Sequence, residues 1–99
     1  MSLSIKLQPE AEEDLLRNQL WWATNHSTEE ALEWHLVVQS QIRLIGSHPE
    51  SYPLSRENEV FPYEIRDALI GKGKRGSYRA VFTVNDDTVV VLRVLRATQ

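Results

Sequence analysis

Six consecutive residues, Gly71-Lys72-Gly73-Lys74-Arg75-Gly76, set three cations among three glycines and match G-x-G-x-x-G letter for letter. In a dinucleotide-binding fold that motif follows a strand and opens a helix, so that pyrophosphate rests on the helix N-terminus. Here the residues that follow, Ser77 to Val84, read as a strand. The segment is therefore expected to be a glycine-rich hairpin loop whose cations suit a polyanion, and no cofactor is expected. Further along stand Arg79 and Arg93; guanidinium groups are suited to gripping phosphate or carboxylate with two hydrogen bonds. Cysteine is absent, which removes disulfides, thiolate zinc sites and cysteine nucleophiles together. His26, His35 and His48 lack metal-ligand spacing, so no metal site is expected. Trp21, Trp22 and Trp34 read as core or partner-facing aromatics, because no cations recur near them at regular spacing as a base-stacking platform would need.

The elements that must position these residues follow from periodicity. Leu3, Ile5 and Leu7 alternate with polar residues, the pattern of a strand with one buried face. Pro9 suits a first helical position, and Glu10, Glu12, Glu13 and Asp14 favour the positive end of that helix's dipole. Ala11, Leu15, Leu16, Leu20, Trp22 and Ala23 then recur at helical spacing until Thr24-Asn25-His26. Ser27-Thr28-Glu29-Glu30 reads as a capping box opening a second helix, with the stripe Ala31, Trp34, Val38, Ile42 and Ile45 ending at Gly46 and Pro49. So short a link between helices predicts an antiparallel helical hairpin. Residues 47–63 lack periodicity and contain Pro49, Pro53 and Pro62, so they are expected to form a surface loop. Three strands follow, Ile65 to Ile70, Ser77 to Val84 and Thr88 to Arg96, the last pair joined by a tight turn at Asn85-Asp86-Asp87. The order is βααβββ: an α+β fold with a helical hairpin packed on one face of a small, largely antiparallel sheet.

Period two then assigns side chains to faces. Tyr78, Ala80, Phe82 and Val84 form one set in the third strand, and Val90, Leu92 and Val94 the uniformly apolar set in the fourth. If those sets lie under the helices, Arg79 and Arg93 share the opposite face, within reach of one anion. The bland alternative is that Asp67, Glu64 or another acid neutralises them.

The 99 residues are expected to form one domain spanning 1–99, with 41% hydrophobic and 25% charged residues, ordinary for a soluble globular chain. No targeting segment or apolar run of spanning length is seen, so a cytoplasmic protein without membrane contact is expected. The net charge of −3 conceals an asymmetry. Residues 1–65 carry four basic side chains against eleven acids, a net of −7, whereas residues 66–99 carry seven against three, a net of +4. Opposed charge in a small chain points to a basic face that meets an anionic partner, or to a merely solvated surface.

The helix pattern Ala11-x-x-Asp14-Leu15, the His48-Pro49 that closes the second helix, and Ile65-Arg66 opening a strand combine with Gly76-Ser77-Tyr78-Arg79-Ala80-Val81-Phe82-Thr83-Val84 and the final Val91-Leu92-Arg93-Val94-Leu95-Arg96. Together, over essentially the whole chain, they resemble the RelE/ParE superfamily of toxins from bacterial type II toxin-antitoxin modules, the plasmid-stabilisation-like proteins. The resemblance implies a growth-inhibiting toxin bound by a cognate antitoxin, with no small-molecule cofactor. Its RelE branch cleaves messenger RNA in the ribosome; its ParE branch acts on DNA gyrase. A decayed toxin surviving as antitoxin partner or co-repressor is a third reading. For ribosome-dependent RNA cleavage, the first expectation, a metal-independent endoribonuclease needs a base, an acid and a stabiliser of phosphate charge. The resemblance assigns that stabilising role to Arg79 and a catalytic place to Arg96, which stands where RNA-cleaving members often carry histidine. Arg66, Lys72, Lys74, Arg75 and Arg93 would hold phosphate or another part of the target.

Overall fold

The computed structural model describes residues 2–72 and 77–98. Its elements run β1 (Ser4–Leu7), α1 (Pro9–Asn25), α2 (Thr28–Ile45), two 3-10 turns (Pro49–Ser51 and Asn58–Val60), β2 (Arg66–Ile70), β3 (Tyr78–Asn85) and β4 (Thr88–Arg96). Pro9 opens α1 with Glu10 and Glu12 in its first turn. The Ser27 hydroxyl accepts the Glu30 backbone N–H at 3.0 Å, half of the expected capping box. The Glu30 carboxylate turns instead to His26, 3.3 Å away.

The sheet has the order β1-β4-β3-β2. β1 runs parallel to β4, while β4, β3 and β2 are antiparallel neighbours, so the sheet is mixed. Both helices pack on one face, giving the α+β architecture expected from the sequence. The α2 stripe is buried as predicted, with Trp34, Val38, Ile42 and Ile45 set against Ala68, Ile70, Tyr78, Ala80, Phe82, Val89, Val91 and Val94. Burying an aliphatic or aromatic side chain of this kind stabilises by about 1.5–3 kcal/mol, so this layer dominates the fold. The buried stripe of α1 is narrower than predicted: Ala11 and Leu15 are covered, whereas Leu16 and Leu20 are exposed and Asp14 is 1% exposed.

The assignment of β4 to faces is corrected by a register shift. Val81 pairs with Arg93 but Phe82 pairs with Val91, which leaves Leu92 as an extra residue, a β-bulge. Strict alternation fails across it, so Val89, Val91 and Val94 are core while Val90 and Leu92 are only half-buried. Asp14 locks this irregularity. The registered partners of β1 on β4 end at Val91, and alternation of the ladder turns the Val94 N–H away from β3. The Asp14 carboxylate accepts that N–H at 2.9 Å, together with Nε and an Nη of Arg93 at 2.7 and 3.1 Å and an Nη of Arg17 at 3.0 Å. Burial pushes this carboxyl up, but the hydrogen bonds from Arg93, Val94 and Arg17 outweigh it and hold the group below its ordinary 3.8.

Gly46 ends α2 as expected, for a different reason than a left-handed cap, since its φ is −62°. The Leu3 N–H donates to the Gly46 carbonyl at 2.9 Å, and a Cβ on Gly46 would lie 2.6 Å from the Leu3 carbonyl oxygen. The start of β1 therefore passes too close for any side chain, and Gly46→Ala is expected to destabilise by roughly 1–3 kcal/mol through overpacking. Asp14→Ala should cost a further characteristic loss, at least the roughly 1–3 kcal/mol of stranding a buried N–H. Because the folded carboxyl titrates below its unfolded value, its contribution is complete above that value and fades as pH falls through the lower one. Urea denaturation at neutral pH and in acid checks both points: the deficit of Asp14→Ala should shrink in acid.

Candidate functional site

Arg79 points to the sheet face opposite the helices, as alternation predicts, but that face is covered there. Pro53 to Ser55 run alongside the start of β2: the Ser55 N–H donates to the Ile65 carbonyl at 2.9 Å and the Asp67 N–H to the Pro53 carbonyl at 3.0 Å. Asn58 Oδ1 accepts the Ile65 N–H at 2.8 Å, fixing the turn that carries Glu57. Ser55 Oγ donates to Glu57 Oε2 at 2.7 Å and aims the carboxylate. Arg79 meets it with two hydrogen bonds, 2.6 Å to Oε1 and 2.9 Å to Oε2, and reaches Asp67 Oδ2 at 3.0 Å. The arginine is 3% exposed. Its hydrogen bonds hold the Glu57 carboxyl far below its ordinary value, at about 2, with the Ser55 hydroxyl helping. The same contacts raise the Arg79 guanidinium above its already high value.

Arg93 does not share this place. The expectation that Arg79 and Arg93 lie side by side over one anion is overturned, because the bulge and Asp14 draw Arg93 to α1. Two further candidate cations, Arg66 and Lys72, are also engaged. Arg66 donates through Nε and Nη2 to Glu64 Oε1 at 3.1 and 2.9 Å and through Nη1 to the Tyr52 and Glu50 carbonyls, tying down the loop before it. Lys72 Nζ lies 2.7 Å from Glu33 Oε2 on α2, and that hydrogen bond raises its pKa. The neighbouring Gly71, at φ +115°, is held by the Gln41 side-chain amide, which accepts its N–H at 2.6 Å and donates to its carbonyl at 3.2 Å. Such a φ is open to glycine and strained for other residues. The root of the basic loop is thus fixed to α2, while Lys74 and Arg75 lie outside the described residues.

Arg96 stacks its guanidinium carbon 4.5 Å from the centre of the Trp21 ring and 5.9 Å from that of Tyr78. With Arg93, Arg17, Asn18, Trp21 and Asp14 it lines a groove of about 200 Å³ between α1 and the end of β4. One cation, Arg96, does therefore meet Trp21, through the tertiary fold and not through local spacing. Sequence reasoning missed Glu57, an acid in an aperiodic loop with no local signal. Asp14 had a signal, its place between Ala11 and Leu15 on the buried stripe, but its charge read as helix-dipole compensation.

An Arg79→Ala variant leaves the mostly buried Asp67 without its cation while Glu57, 39% exposed, regains water, and it is expected to lose about 1–3 kcal/mol of stability. Glu57→Gln tests the linkage. The contribution of Glu57 is complete above pH 4.5, its ordinary value, and is lost as pH falls toward about 2. The unfolding free energy of Glu57→Gln should therefore decline less than that of the parent between pH 5 and 2, measured by urea titration.

No curated protein matches the chain. In fold it is similar to a chain of the chromosomal ParDE TA system from P. aeruginosa, at TM-score 0.77 and 21% identity, with 96% of each chain covered. It is also similar to a chain of the toxin-antitoxin complex RelBE2 from Mycobacterium tuberculosis, at TM-score 0.54 and 19% identity, covering 97% of this chain and 99% of that one. The family model described as the ParE toxin of the type II toxin-antitoxin system parDE matches residues 5–99. The chain belongs to the ParE toxin family of type II toxin-antitoxin systems.

Proposed function

We propose that this toxin arrests growth by engaging DNA gyrase, as the ParE branch does, rather than by cleaving messenger RNA, and that a cognate antitoxin holds it inactive. The observation that carries this reading is the pairing of Arg79, Arg66 and Lys72, three of the cations that RNA cleavage would use. Arg79 is enclosed by Glu57 and Asp67, Arg66 is bound to Glu64 and two carbonyls, and Lys72 is bound to Glu33. A phosphate approaching Arg79 would have to displace a carboxylate held by two hydrogen bonds, and it would meet that negative charge on the way. Nor is Glu57 suited to abstract a 2′-hydroxyl proton, because a base that titrates near 2 is poorly matched to neutral pH. Family membership points the same way, to the ParE branch. In this reading Arg79 serves the fold that presents the target surface. Arg96 and Arg93 stand at the groove by α1, as binding residues and not as catalysts.

Induced expression in bacteria without a partner should slow or stop growth, and co-expression of the small protein encoded beside it should restore growth. Pulse labelling soon after induction separates the targets. A DNA-damage response that precedes any fall in protein synthesis, with messages intact, is the expected result. Cut messages and early loss of protein synthesis would overturn the gyrase reading, and unchanged growth under verified soluble expression would overturn the toxin reading itself.

A further inference from the structure

The groove between α1 and the end of β4 carries a charge imbalance of its own. Arg17 and Arg93 share the single carboxylate of Asp14, and both remain open to solvent, with side chains 66% and 46% exposed against 1% for Asp14. Arg17 donates to Asp14 through Nη1, and Arg93 through its Nε and Nη2, while a guanidinium has five N–H donors. Donors on both arginines are thus left facing the groove. Arg96 completes the rim, its guanidinium carbon 4.5 Å from the centre of the Trp21 ring, a contact that limits the rotamers it must give up on meeting a ligand. In a chain of net charge −3, this is a local basic site with one apolar wall, formed by Trp21, Val94 and Leu95.

From this geometry we infer that the groove receives an acidic side chain, flanked by an apolar one, from a peptide segment of a protein partner. The proposal goes beyond the choice of target and does not depend on it. Nucleic acid is disfavoured by the neighbours of the site. Glu10 and Glu13 lie on the same face of α1 as Asp14 and Arg17, three to four residues apart, and act electrostatically on Arg93. A backbone with a phosphate at every nucleotide would run onto those acids, whereas one carboxylate seats between the arginines without meeting them. Paired N–H donors on each guanidinium suit the two oxygens of that carboxylate, and the small volume of the groove admits a side chain rather than a base.

The test titrates the full chain, monitored by tryptophan fluorescence, with a blocked ten-residue peptide of five glutamates and interspersed leucines. Its glutamine counterpart and a ten-nucleotide single-stranded RNA serve as comparison probes. Saturable binding of the glutamate peptide below about 1 mM is expected, with the glutamine peptide at least tenfold weaker. Arg17→Gln should weaken the glutamate peptide about tenfold or more, the loss of a charge-assisted hydrogen bond, and Arg96→Gln should also weaken it. Arg43→Gln, on α2 and outside the groove, should leave it unchanged. Arg17 is the chosen probe because Arg17→Gln removes one of the four hydrogen bonds to Asp14 and leaves those from Arg93 and Val94 in place, so the melting midpoint should fall only slightly, whereas Arg93 supplies two of the four. The proposal is overturned by absence of saturable peptide binding, by binding that Arg17→Gln does not weaken, or by RNA that binds as tightly as the peptide with the same dependence on Arg17.

Discussion

The carboxylate of Asp14 is the contact on which the rest of the arrangement turns. It sits in the first half of α1, yet it accepts a backbone N–H and two guanidinium donors from β4, some eighty residues away in the chain. A buried charge persists only where its oxygens are satisfied, and here four hydrogen bonds do so. Three things follow from it. The helix is fixed against the one stretch of β4 that β1 leaves uncovered, the bulge at Leu92 has its neighbouring N–H satisfied, and Arg93 is taken from the sheet face that alternation assigned to it.

The same logic accounts for the uneven charge of the chain. The acidic first two-thirds and the basic last third look like surfaces meant for different partners, but folding joins them to each other. Asp14 meets Arg93, Glu33 meets Lys72, Glu57 meets Arg79 and Glu64 meets Arg66, each an acid from the acidic portion bound to a cation from the basic one. The exposed members, such as Lys72 with Glu33, contribute little to stability. Arg79 differs because burial removes water as an alternative partner, so its two hydrogen bonds to Glu57 help fix the path of residues 53–58 across the sheet.

This internal pairing bears on function. A sheet face bristling with uncompensated arginine would suit a phosphate backbone; a face on which the arginine is enclosed by acids does not. Between α1 and the end of β4, Arg17 and Arg93 share one acid beside Arg96, whose guanidinium lies over Trp21. Such a place suits a single carboxylate better than a polymer of phosphates.

The order βααβββ, the buried α2 stripe, the start of α1 at Pro9 and the extent of β4 were legible in the sequence, because each rests on interactions within a few residues or on a period imposed by local backbone geometry. The family resemblance was legible for the same reason, since it lies in the spacing of those elements. Asp67, one partner of Arg79, was among the acids the sequence offered; the other partners of Arg79 and Arg93 were decided only by the tertiary structure. A bulge breaks period two without a mark at Leu92, and Glu57, the second acid on Arg79, comes from an aperiodic loop 22 residues away. Gly46 is required by the passage of β1 over the end of α2, a contact that no spacing along the chain contains. Local rules place a side chain on a face; which charge waits there depends on how distant segments close over it, and that is settled by packing and desolvation acting on the whole fold.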